Sequence, residues 1–174
     1  MENLSLSRLL FLVLVALAVV MPVRWWVLEP IYIASPSMEP TLHTGANLFL
    51  DKLSLRLRPV QRGDIIAFKS PVGEAHDLVK RVIAVPGDTV EMREKKVLIN
   101  GKQQDEPYVV HKRADERLEG DSLGPVEVPK DGYFVLGDNR DESKDSSAWK
   151  DPSTGAPLYF LKDSDVQGLV RGVY

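Results

Sequence analysis

The sequence of 174 residues contains no cysteine. That excludes disulfides, thiolate metal sites and a cysteine nucleophile together, while leaving the compartment open. Histidine is scarce. His43, His76 and His111 stand far apart, without the spacing of a metal-ligand set. An excess of charge of one sign is missing too. The 22 basic and 25 acidic residues give a net charge of -3, so there is no electrostatic footprint for nucleic acid. Membrane-length apolar runs are absent with one exception. What remains is a chain long enough for one domain with a real core, plus that single run.

The run is unbroken from Leu9 to Val23. At about 1.5 Å per residue its 15 residues cover about 22 Å, short of the roughly 30 Å hydrocarbon core of a bilayer. Continuing through Arg24-Trp25-Trp26-Val27-Leu28 makes it long enough, with Arg24 snorkelling and the tryptophans at the interface. Pro22 is placed to kink the outer end. A cleaved secretory signal peptide is the alternative, and Arg8 before a short apolar core fits it. Against it, the core leads into Arg-Trp-Trp, and the one Ala-x-Ala, Ala16 to Ala18, lies inside the run. The reading is therefore an uncleaved transmembrane anchor over residues 1–28, followed by a domain over 29–174. Arg8 and Arg24 balance across the run, so charge alone does not orient it.

After the anchor, Ile31-Tyr32-Ile33-Ala34 reads as a short β-segment leading into Ser35-Pro36-Ser37-Met38-Glu39-Pro40. Pro36 and Pro40 bracket Ser37 and restrict its backbone. The nine residues from Leu28 to Ser37 reach at most about 30 Å, which tethers Ser37 near the bilayer surface. Leu53, Leu55 and Leu57 alternate with polar residues, the period of a half-buried strand. Ile65 to Phe68 reads as a buried strand after the Gly63-Asp64 turn. Asp77 to Val85 follows as another, and in it Lys80 shares a face with Leu78 and Val82 while Arg81 points the other way.

That lysine is chemically suggestive. A serine nucleophile needs a base, and a lysine qualifies only when neutral. Burial among aliphatic side chains disfavours the ammonium. Ser37 and Lys80 together therefore suggest a Ser–Lys hydrolase at a membrane surface. Further along, Val90 to Met92 and Val97 to Ile99 form a hairpin, and Asn100-Gly101 is a tight-turn signal. Lys112 to Gly124 reads as an exposed polar loop. Pro125 to Val128 and Tyr133 to Leu136 add short strands. The fold class expected is mainly β, with one N-terminal transmembrane helix.

Four blocks taken in series resemble the type I signal peptidases (leader peptidases). They are Ser37-Met38-x-Pro40-Thr41-Leu42, Arg62-Gly63-Asp64-Ile65-Ile66-x-Phe68, Lys80-Arg81-Val82-Ile83-x-x-Pro86-Gly87-Asp88, and Gly137-Asp138-Asn139-Arg140-Asp141-x-Ser143-x-Asp145-Ser146. The resemblance implies a Ser–Lys dyad serine peptidase built as a module of coiled antiparallel sheets. It makes Ser37 the nucleophile and Lys80 the general base. It places the Ser35 hydroxyl and the Ser37 backbone N–H in the oxyanion hole, and makes Ser143 the residue that orients the lysine. It marks Gly137 as the small residue beside the lysine, and Asp138 and Asp145 as structural acids, with Asp138 expected to pair with Arg81. No metal or organic cofactor is implied. The implied substrates are signal-peptide-bearing preproteins, met at a lipid bilayer beside the secretion translocon. The implied placement is a single pass of the plasma membrane with the N-terminus cytoplasmic and the catalytic domain outside.

One departure stands out. After Asp145-Ser146 the family usually has an arginine, then Trp-Gly one residue later; here Ser147 and Lys150 occupy those places. A self-cleaving repressor shares the dyad but carries a DNA-binding N-terminal domain, which the apolar run contradicts. A specialised peptidase with narrow substrates and an inactive paralogue that binds exported chains are the remaining rivals.

Overall fold

The computed structural model describes residues 5 to 172, apart from the side chains of residues 23 to 25. The expected roles of Arg24 and Trp25 lie outside the described residues. The apolar run forms a helix, α1 (Leu6–Trp26), with Pro22 inside it. Leu6, Phe11, Leu14 and Val19 are all at least 60% exposed, on different sides of the helix. Among the described residues, no helix is long and apolar enough to cross a membrane.

The remainder is mainly β. A seven-stranded sheet begins with β1 (Leu28–Tyr32) and β2 (Asn47–Asp51), and continues through β3 (Ile65–Lys69) and β4 (Asp77–Ala84). A second sheet holds β5 (Thr89–Arg93), β6 (Lys96–Ile99), β7 (Lys102–Gln103) and β8 (Leu123–Glu127). The chain then returns to the first sheet as β9 (Gly132–Leu136), β10 (Leu161–Lys162) and β11 (Val166–Arg171). The spatial orders are β1-β2-β11-β3-β4-β9-β10 and β7-β6-β5-β8, with every strand pair antiparallel. Ladder shifts in β11/β3, β4/β9 and β5/β8 curl the sheets, as bulges do.

Local chemistry explains most of these elements. Pro30 is tolerated because β1 is an edge strand and needs no donor on its outer side. The β5–β6 turn uses Glu94 and Lys95, and the β6–β7 turn uses Asn100 and Gly101, all four with positive φ as the mirror-image hairpin turns require. Three apolar clusters fill the core. One, around Phe68, Val82, Val135 and Trp149, lies under the first sheet; another, around Val90, Ile99, Phe134 and Leu136, joins the two sheets. The third packs Met38 and Leu42 of the serine turn against Leu50, Ala67 and Val170.

Three expectations need correction. Leu53 to Arg58 is not a strand but contains a single helical turn, α2 (Ser54–Leu57). Asp51 captures the Ser54 N–H at 3.0 Å and its hydroxyl at 2.5 Å, closing the chain into a turn before a ladder can form. Leu57 consequently sits 77% exposed. The strand in this region is β2, just upstream, where Leu48 and Leu50 are buried. The first β-segment is displaced as well: β1 starts at Leu28 and ends at Tyr32, so Ile33 and Ala34 lie beyond it. Lastly, the polar loop ends earlier than expected, because Leu123 and Gly124 already belong to β8.

Candidate active site

Two elements bring the expected residues together. Ser37 lies in a 3-10 turn, Pro36–Met38, whose first position is a proline with φ preset for the turn. Met38 and Leu42 are 1% exposed, and their burial pins the turn to the sheet. Lys80 sits in the middle of β4, opposite Ile66 of β3. Lys80 Nζ and Ser37 Oγ are 2.7 Å apart, although 43 positions separate them in sequence. Both side chains are buried, at 3% and 5% exposure. Burial pushes the Lys80 ammonium below the ordinary lysine value, against the carboxylates of Asp145, Glu74 and Asp138, which pull it upward. Desolvation wins, so the neutral amine is favoured more than in water.

Around this pair, Ser35 Oγ lies 3.1 Å from Ser37 Oγ. Gly137 follows β9 and approaches the serine turn so closely that a Cβ on it would stand 2.5 Å from the Ser37 carbonyl oxygen, and would also strike Ser143. Arg81, next to Lys80 but on the opposite face, forms a two-pronged ion pair with Asp138 at 2.8 and 2.6 Å. Thr41 Oγ1 donates to the same carboxylate at 2.5 Å, and the Tyr108 ring lies 4.0 Å beneath the Arg81 guanidinium.

Ser143, for which a lysine-orienting role was expected, is engaged with Asp145. Its hydroxyl donates to Asp145 Oδ2 at 2.5 Å. Asp145 also accepts from Gly137 N at 2.9 Å, and from the backbone N and Oγ of Ser147 at 3.1 and 2.8 Å. The serine that stands where an arginine was expected therefore still holds the carboxylate, through neutral donors.

Sequence reasoning overlooked Asn139. It is fully buried, its N–H donates to the Ser37 carbonyl at 3.0 Å, and its Nδ2 donates to the Pro36 carbonyl at 3.1 Å. These bonds lock the serine turn onto the loop after β9. Its place between Asp138 and Arg140 in a quoted block was the available signal.

A cleft of about 500 Å³ opens beside the dyad, walled by Ile31, Ile33, Ala34, Leu78 and Val79, with His76 at its margin. One of its edges is unpaired backbone. β9 pairs with β4 only from Arg81 onward, leaving Asp77 to Lys80 bonded to β3 on one side alone. Among the described residues, no group of three or more His, Asp or Glu is placed to hold a metal ion.

The chain is similar to proteins of one family. The family model described as "Signal peptidase, peptidase S26" matches residues 6–174. Signal peptidase I of Bacillus amyloliquefaciens is 40% identical over 138 residues, 77% of this chain and 71% of that protein. Signal peptidase I P of Bacillus subtilis subsp. natto is 40% identical over 156 residues, 87% of this chain and 80% of that one. A crystal structure of a signal peptidase I from Enterococcus faecalis V583 aligns with a TM-score of 0.49 at 35% identity, covering 66% of this chain and 98% of that one.

Proposed function

The chain belongs to the signal peptidase family, peptidase S26, and from that premise we propose that Ser37 is its nucleophile and Lys80 its general base. The activity is that of a signal peptidase I, a serine endopeptidase that removes signal peptides from preproteins. The observation that carries the residue assignment is the 2.7 Å approach of Lys80 Nζ to Ser37 Oγ in a buried setting.

The steps proposed are those the family resemblance implies, supported here by the geometry of the dyad and the cleft. An extended preprotein segment adds its backbone to the unpaired edge of Asp77 to Lys80. The cleft beside the dyad takes the side chains just before the cut, small ones as the family resemblance implies. Ser37 Oγ attacks the scissile carbonyl carbon while its proton passes to the neutral Lys80 amine. The oxyanion is met by the Ser37 backbone N–H and the Ser35 hydroxyl, the latter 3.1 Å from the attacking oxygen. Pro36 has no N–H to add. The lysine then returns the proton to the departing amine. Water activated by the same amine hydrolyses the acyl-enzyme. Gly137 leaves room for the dyad, and the Arg81–Asp138 pair fixes β4 against the following loop.

The helix α1 is proposed as the anchor, within residues 1–28, with the catalytic domain in 29–174. Its 21 residues reach about 31 Å, the thickness of a hydrocarbon core, of which the unbroken apolar run Leu9 to Val23 covers about 22 Å. The placement proposed is a single pass of the plasma membrane, N-terminus inside and catalytic domain outside, where bilayer and translocon deliver the substrate.

The test is cleavage of a preprotein in lipid by the wild-type chain, Ser37→Ala and Lys80→Ala. Wild type should cut after a small residue, and each variant, still folded, should lose at least about 10⁴-fold in kcat. Full activity in Lys80→Ala would end the dyad assignment.

A further inference from the structure

Asp145 is a buried carboxylate without a cationic partner among the described residues. Its side chain is 1% exposed. Its four donors are the backbone N–H groups of Gly137 and Ser147 and the hydroxyls of Ser143 and Ser147, all neutral. Among the described residues, no ion pair includes it, whereas its neighbours Asp138 and Asp141 both have cations.

The position that supplies two of those donors is tightly confined. Gly120, in the polar loop between β7 and β8, sits on Ser147 with φ +93°. A Cβ at Gly120 would stand 2.8 Å from Ser147 Cβ and closer still to its hydroxyl. The loop is fastened there from several sides. The Arg113 N–H donates to Asp141 at 2.6 Å, Lys95 lies 3.7 Å from Asp121, and Glu119 pairs with Lys150 at 2.6 Å.

Asp145 is joined to the reacting pair through Gly137, which accepts no Cβ because the Ser37 carbonyl and Ser143 are against it. The charges that face Lys80 are few. Asp145 and Asp138 come from the segment after β9, and Glu74 from the loop before β4. Arg81 turns away to Asp138, while His76 and Asp77 line the same cleft. Ser35 and Ser37 bring no charge, and Ile66 on β3 is apolar.

We propose that Ser147, seated under Gly120, is a positioning residue that keeps Asp145 an uncompensated anion beside the Ser37–Lys80 pair and thereby sets the pH range in which that pair works. The inference rests on Lys80 being the base. A buried anion favours the cationic form of a nearby lysine, and so opposes the effect of burial. A cation at position 147 would pair with Asp145 and cancel that pull. Lys80 would then lose its proton at lower pH.

The experiment is the pH profile of kcat/KM for preprotein cleavage by the full chain in lipid, comparing wild type with Ser147→Arg and Ser147→Gln. Ser147→Arg should move the acidic limb to lower pH by roughly half a unit to one unit. Ser147→Gln brings comparable bulk against Gly120 without charge, so it should leave the limb in place even if the maximal rate falls. Ser147→Lys carries the same charge on a thinner side chain and reads the same limb should the arginine variant not fold. An unmoved limb in the folded cationic variant, or an equal shift in Ser147→Gln, overturns the proposal. Activity surviving in Lys80→Ala would instead remove the reading on which it rests.

Discussion

At the scale of single residues, the site is governed by close approach and by burial. Ser37 is an ordinary turn serine until Lys80 stands 2.7 Å away, and Lys80 has its neutral amine favoured because its surroundings withhold water. The block Gly137-Asp138-Asn139-Arg140 was legible as a motif, and the resemblance already offered the Arg81 partner for Asp138 and the small residue at Gly137; the part of Asn139 was not legible. Asp138 serves Arg81, Asn139 ties down the serine turn, and Gly137 supplies empty space. Empty space leaves no mark in a sequence beyond the glycine itself. Its φ lies outside the left-handed region, so contact rather than backbone conformation demands glycine here. Gly137→Ala should therefore displace the Ser37 carbonyl or Ser143 and cut kcat by on the order of 10²-fold, with a far smaller change in KM. Steady-state kinetics on a fluorogenic signal-peptide substrate checks this, and an unimpaired kcat would show that the contact can relax.

At the scale of elements, β4 is the piece on which the site depends. Its period of two sends Lys80 into the cleft and Arg81 to the opposite side, as alternation in the sequence implied. The Arg81–Asp138 pair then fastens the strand to the segment that follows β9, with the Arg81 side chain 11% and the Asp138 side chain 1% exposed. Removing one partner leaves the other charged and buried. Asp138→Ala should cost about 3–5 kcal/mol of stability, measured as a fall in the urea midpoint of the domain in detergent. A cost below about 1 kcal/mol would mean that water or Tyr108 takes over the guanidinium. The same scale explains where periodicity misled. Leu53, Leu55 and Leu57 alternate as a strand would, yet Asp51 offers Ser54 a local hydrogen bond that a ladder would have to break.

At the scale of the whole molecule, β1 follows α1 with one residue between them, so whatever holds α1 also holds the sheet edge that leads into the Ser37 turn. If α1 spans a bilayer, the full chain should stay with membranes through high salt and alkaline carbonate and be released only by detergent. Release by carbonate would show that the helix lies on the surface instead, and the anchor would have to be abandoned. Sequence by itself determined the local features: the apolar run of α1, the hairpin turn between Met92 and Val97, the tight turn at Asn100-Gly101 and the alternation of β4. Each of these depends on neighbours a few positions apart, whose steric and hydrogen-bonding preferences act without the rest of the chain. Only the tertiary structure decided how closely the partners across 43 and 57 positions approach, Lys80 to Ser37 and Arg81 to Asp138, which the resemblance had paired without a geometry. It alone decided the seating of Gly120 on Ser147 and the neutral cage around Asp145. Such contacts are fixed by how sheets curl and loops close over one another, which is a property of the packed core and not of any short stretch of sequence.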